Sequence, residues 1–197
     1  ITSGAARKAA FTNEGGYGGT YRFLQNIMGL WMVQSIRREY DKKYSYAQLE
    51  EMAKEAVDFV SVVDVNENVF LAPKSMQQAV KDGCAQSGQP VPETLGQLMQ
   101  CGYISLAQCY ARAVRHLQEI TGKTYTSINI VGGGSKDTYL NQLTANATGL
   151  PVYAGPQEGT VIGNLLAKMM AGGVFVGAAE ARKAVAASFK VTKVESK

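Results

Sequence analysis

The chain has 197 residues, 46% of them hydrophobic, and 20 Lys and Arg against 16 Asp and Glu leave a net charge of +4. That length and apolar content suffice for a compact core and exclude a disordered or collagen-like polymer. The chain also lacks an uncharged apolar run of the roughly 18 residues that spans a bilayer, the basic-then-apolar order of a signal peptide, and the dense basic clusters that grip nucleic acid. The expectation is a cytoplasmic protein, cut from a longer chain, with no membrane and no nucleic-acid partner.

The first nineteen residues are rich in Gly, Ser and Thr, and Asn13-Glu14-Gly15-Gly16 signals a turn. From Thr20 to Tyr40, Phe23, Leu24, Ile27, Met28, Trp31 and Ile36 recur at helical spacing and predict a heavily buried helix with Trp31 in its core. Asn26 and Gln34 interrupt it eight positions apart, about 80° around the axis and about 12 Å along it. They suit either one groove lined at two depths or two amides satisfied within the core. Ser45-Tyr46-Ala47-Gln48 reads as a capping box opening a helix to about Val57, and Asp58 to Phe70 reads as irregular. Pro73 is placed to open a helix to about Ala85, because its missing N–H needs no partner in a first turn. Thr94 to Thr121 predicts a long helix, with Gly102 as the place for a bend, ended by Gly122 in the left-handed conformation.

The last third predicts an α/β unit: a strand over 127–131, the triplet Gly132-Gly133-Gly134, and a helix from about Asp137 to Thr148 stopped by Gly149. A strand over 151–154, a loop over 155–159, a helix from Thr160 to about Met170 and an Ala-rich helix over 178–187 precede a polar tail. A glycine turn at the carboxyl end of a strand is where open α/β sheets take ligands, since main chain without Cβ atoms allows close approach. A second glycine-bearing loop after the next strand would lie beside it and complete a cleft floor. The triplet alone equally fits a tight turn with no ligand. The dinucleotide fingerprint needs Gly where Asp137 stands, and the P-loop Gly-Lys-Ser/Thr is missing. Glu158 keeps a nicotinamide-dinucleotide reading open, because it lies near the distance expected of a ribose-binding carboxylate.

The three cysteines, Cys84, Cys101 and Cys109, show no Cys-x-x-Cys spacing and suit a reducing compartment. Cys84 and Cys101 bracket a proline-containing connection, so a bridge between helix ends and a pair of buried thiols both fit. His116, in the long helix near Arg112 and Arg115, reads as an ordinary helix position, and Asp64 and Asp137 read as turn or capping carboxylates.

Gln25-Asn26-Ile27-Met28-Gly29-Leu30-Trp31-Met32-Val33-Gln34, the preceding Thr12-Asn13-Glu14-Gly15-Gly16, and Ile130-Val131-Gly132-Gly133-Gly134 with Leu140-Asn141-Gln142-Leu143 resemble the FGGY family of carbohydrate kinases. The match runs in order across nearly the whole chain, and the Asn26–Trp31 block resembles the branch that phosphorylates L-rhamnulose. Ala154-Gly155-Pro156, Glu158-Gly159-Thr160 and Gly163-Asn164 resemble the family's closing nucleotide loop and helix.

The resemblance implies an α/β fold, a partial actin-like, ribonuclease-H-like ATPase lobe that is helix-rich with a small sheet. Residues 1–197 would form the C-terminal nucleotide-binding lobe, without the N-terminal lobe and the catalytic-base segment. It further implies ATP and magnesium as cofactors, ATP or ADP and a sugar as partners, and conversion of L-rhamnulose to its 1-phosphate by the parent enzyme. Gln34, Gly132, Gly133 and Gly134 would meet the nucleotide, Asn26 the sugar, and Cys84 and Cys101 match a pair that can be bridged. The family's Ser-Gly-Thr-Trp motif is missing, since Thr2-Ser3-Gly4 is followed by no Trp. The isolated chain is therefore expected to be inactive and, with strand edges left open, to self-associate. The alternative is a non-catalytic nucleotide-binding or interaction module.

Overall fold

The computed structural model describes residues 1–197, which divide into two compact units. One comprises Ile1–Leu24 with Gly122–Lys197, and the other is Gln25–Thr121.

In the first unit, Ser3 caps a short helix, α1 (Gly4–Lys8), by accepting a hydrogen bond from the Ala6 amide. Strands β1 (Phe11–Gly15) and β2 (Tyr21–Gln25) then pair as a hairpin. Its turn contains Gly18 and Gly19 at φ +65° and +74°, a conformation that disfavours side chains, and the Gly16 amide donates to the Thr20 carbonyl at 2.7 Å. Both sequence expectations for this stretch are thus corrected. Asn13–Gly15 is strand, and Tyr21–Gln25 is not the start of a helix. Cross-strand pairs carry the difference: Phe11 and Phe23 stack with ring centroids 4.8 Å apart, and Arg22 reaches Glu14 at 2.8 Å.

The second sheet of this unit has the order β3 (Ile128–Ile130), β4 (Val152–Ala154), β5 (Thr192–Val194). β3 and β4 run parallel with Ile128 opposite Val152, and β5 runs antiparallel to β4 with Val194 opposite Val152. Helix α6 (Thr138–Thr148) makes the crossover that parallel pairing requires. Gly149, at φ +67°, ends it as expected. Helices α7 (Gly159–Ala171) and α8 (Ala178–Ser188) follow. β5 lies in the stretch that the sequence predicts as a polar tail.

The second unit is helical: α2 (Trp31–Glu39), α3 (Tyr46–Glu55), α4 (Met76–Gln86) and the long α5 (Leu95–Thr121). Met32, Ile36, Leu49, Phe70, Leu98 and Leu106 are fully buried or within 1% of it and form the core. The Ser45–Gln48 capping box is present, with Ser45 Oγ accepting from the Gln48 amide and Gln48 Oε1 accepting from the Ser45 amide. α4 starts at Met76, with Ser75 as its cap, and not at Pro73. Glu39 of α2 accepts hydrogen bonds from Ser75 Oγ and the Met76 amide, so a carboxylate remote in sequence sets this boundary. Gly122 ends α5 at φ +65°.

Cys84 on α4 and Cys101 on α5 face each other as buried free thiols, their sulfurs 3.8 Å apart. Burial raises both above the ordinary thiol range, and at Cys101 the neighbouring Cys84 adds to it. Cys109 is also buried and raised by burial, and its sulfur accepts from Asn66 Nδ2 at 3.2 Å. Asp64 pairs with Arg112 at 2.9 Å and accepts from the Asn66 amide, a turn role as expected. No helix is long and apolar enough to cross a membrane.

Candidate functional site

The chemistry-bearing loops follow β3 and β4. Parallel pairing brings the carboxyl ends of these strands side by side, so the loop after each starts from the same edge. Gly132, at φ +79°, turns the chain out of β3 into a short 3-10 turn over Gly133–Lys136. The Ser135 amide and hydroxyl both donate to the Gly132 carbonyl, at 3.1 and 2.7 Å. Asp137 then caps α6 by accepting from the Leu140 amide at 2.9 Å, the role its position suggested. From one turn into α6, the buried Asn141 donates from Nδ2 to the Ser135 carbonyl at 3.2 Å.

The second loop is joined to the first by main chain. The Gly155 amide donates to the Ile130 carbonyl at 2.8 Å, and the Gly132 amide donates to the Pro156 carbonyl at 3.1 Å. A Cβ on Gly159 would stand 3.0 Å from Val131 Cβ, so the start of α7 packs directly on the end of β3. The two glycine-bearing loops therefore lie side by side, as the order of elements predicted.

The glycines of the triplet differ. Gly132 needs its freedom for the left-handed φ, and a Cβ on Gly134 would touch Ile130 Cγ2 at 3.7 Å. A Cβ on Gly133 would meet nothing within 4 Å. Gly133 thus presents bare main chain to open space and is not crowded by the fold.

Gln34 and Asn26 belong to the second unit. Gln34 is exposed on α2 between the buried Val33 and Ser35. Asn26 is itself exposed, in the segment between β2 and α2, so the helical angle and rise between the two amides, which require one continuous helix, do not apply. Trp31 departs from expectation as well: it is 37% exposed at the first position of α2 instead of packed in the core. His116 lies partly buried on α5. No group of three or more His, Cys, Asp or Glu side chains comes together to hold a metal ion.

Residues 2–172 match the C-terminal domain of the FGGY family of carbohydrate kinases. The chain belongs to that family. Its helix-rich α/β architecture with small sheets is accordingly the ribonuclease-H-like, actin-like ATPase fold of the FGGY C-terminal domain. The chain is 46% identical over 186 residues to a rhamnulokinase of Halalkalibacterium halodurans, covering 94% of this chain and 40% of that protein. It is 42% identical over 184 residues to a rhamnulokinase of Ligilactobacillus salivarius, covering 93% and 38% of the two proteins. It is 40% identical over 191 residues to that of Bacillus subtilis, covering 97% and 39%. The chain thus spans about two fifths of the length of these FGGY relatives.

Proposed function

We propose that this chain is the nucleotide-binding part of an ATP-dependent ketose kinase, that the whole enzyme converts L-rhamnulose to L-rhamnulose 1-phosphate, and that the chain alone does not turn over. The open Cβ position at Gly133, on a turn held in place by a second glycine loop, carries this reading. The rhamnulokinase relatives supply the sugar.

In this reading Gly132, Gly133 and Gly134 admit the adenosine group to main-chain contact, and the exposed Val131 offers apolar surface beside it. Gln34 contacts the nucleotide and Asn26 the sugar, roles taken from the family resemblance. Magnesium would be held mainly by the nucleotide phosphates and would supply positive charge there, since it keeps several waters and needs few protein ligands. A carboxylate base supplied by the rest of the enzyme accepts the proton of the sugar hydroxyl as the γ-phosphoryl group transfers. Without that alignment and charge stabilisation, the present residues hold nucleotide but do not accelerate transfer.

Calorimetric titration with a non-hydrolysable ATP analogue, paired with a coupled assay for sugar-dependent ADP release, tests this. Binding without ADP release is expected of this chain, and both are expected of the longer enzyme. Binding by neither would overturn the nucleotide reading, whereas ADP release from this chain alone would overturn its dependence on the rest. A longer protein that binds nucleotide but releases no ADP with any ketose would identify the module reading instead.

Self-association belongs to the same proposal. α7 leaves Val161 63% and Leu165 56% exposed, and Val176 beyond it is fully exposed. Light scattering on a sizing column is expected to give a mass above the 21.1 kDa of one chain, rising with concentration. A constant monomer mass would refute it.

The facing thiols of Cys84 and Cys101 are further proposed to bridge under a thiol oxidant, each losing one proton and the pair yielding two electrons to that oxidant. Intact mass should fall by two hydrogens, with the linked peptide containing these two residues. A bridge to Cys109, or none, would count against it.

A further inference from the structure

The sole tryptophan of the chain stands beside a group of charges that the kinase reading does not use. Arg38 lays its guanidinium over the Trp31 ring, 4.1 Å from the centroid, and donates from Nη2 to Ser35 Oγ at 2.8 Å. The segment leading into α4, Ala72-Pro73-Lys74, forms another wall of the same recess, whose volume is about 260 Å³. That is below the roughly 300–1,000 Å³ of clefts for drug-sized ligands, and it suits a smaller, more polar molecule.

The charges lining the recess are unbalanced. Neither Arg38 nor Lys74 takes part in an ion pair. The one carboxylate in the lining, Glu39, has its two oxygens engaged by Ser75 Oγ and the Met76 amide, and so is committed to the first turn of α4. Stacking on indole fixes the plane of the guanidinium and leaves N–H donors for a ligand, in a fork that matches phosphate oxygens. Lys74 adds a point charge on a flexible stem. Trp31 and Pro73 offer apolar surface at the same mouth.

We propose that this recess binds a small phosphate monoester, its phosphate held by Arg38 and Lys74 and its carbon skeleton laid against Trp31 and Pro73. The site lies wholly in the second unit, and its lining includes neither Gln34 nor Gly133.

Trp31 is the reporter, because the chain has no second tryptophan to dilute its emission. The intact chain is titrated with inorganic phosphate and with glucose 6-phosphate at constant ionic strength, chloride serving as the control anion. A saturable emission change is expected with the ester at millimolar concentration, at least tenfold tighter than with inorganic phosphate. Lys74→Ala should weaken it at least tenfold and Arg38→Gln should abolish it, with unchanged circular dichroism. Gly133→Ala should leave it intact, which separates this site from the nucleotide turn. Equal affinity for the two ligands would overturn the contacts to the carbon skeleton. No saturable response, or an unaltered calorimetric affinity in the Arg38→Gln, Lys74→Ala double variant, would overturn the site itself.

Discussion

Gly133→Val is expected to leave the fold and its melting temperature unchanged while lowering affinity for an ATP analogue at least about a hundredfold, or about 2.8 kcal/mol at 1.4 kcal/mol per decade. The two halves of that expectation have separate causes. A Cβ built on Gly133 meets no atom within 4 Å, and its backbone is outside the left-handed region, so the fold leaves open space where the side chain begins. The branched group would then occupy the space proposed for adenosine. Gly155→Ala makes the contrast: its Cβ would sit 2.7 Å from the Lys190 carbonyl at φ +124°, and it should lower stability whether nucleotide is present or not. Calorimetric titration and thermal melting of both variants read the difference. An unchanged affinity in Gly133→Val would remove the close approach on which the nucleotide assignment depends.

Gly96→Val is expected to be the most damaging of the glycine changes within the helices, at about 2–3 kcal/mol. Gly96 lies in the first turn of α5, where a Cβ would stand 2.6 Å from the Met52 carbonyl and 3.5 Å from Ala56 Cβ. A backbone carbonyl cannot rotate aside as a flexible side-chain tip can, so the α3–α5 contact must open. Gly102→Ala on the same helix meets only Met32 Sδ, at 3.6 Å. It should be neutral or slightly stabilising, because replacing helical Gly by Ala gains about 0.5–1 kcal/mol when nothing clashes. Urea unfolding followed by circular dichroism checks the pair. Equal midpoints for the two variants would show that the close helix approach at Gly96 contributes little.

Much of the fold is written locally. The Ser45 capping box, the stops at Gly122 and Gly149, the cap at Asp137 and the strand–turn–helix order around Gly132 each depend on residues within a few positions of one another. What the sequence concealed depends on partners far along the chain. Phe23 and Leu24 continue the apolar spacing of α2, yet Phe23 is drawn into a strand by stacking on Phe11. α4 starts three residues after Pro73 because Glu39 engages Ser75 and Met76. β5 has only three residues and becomes a strand through its pairing with β4. The candidate site divides in the same way. The adjoining glycine loops were legible from element order, whereas the supposed helical relation of Asn26 to Gln34 failed with the strand that replaced the first helical turns.

The placement of the helical unit inside the other unit's sequence bears on how the chain acquires its structure during synthesis. Gln25–Thr121 is continuous and can fold once it has left the ribosome, while Ile1–Leu24 must wait for Gly122–Lys197. Prior folding of the intervening residues replaces a long floppy tether by a fixed one, avoiding an entropy of closure that rises by about 0.6 kcal/mol per doubling of length. Once residue 121 has cleared the ribosome, and before Gly122–Lys197 is complete, Gln25–Thr121 should therefore already resist protease as a helical body.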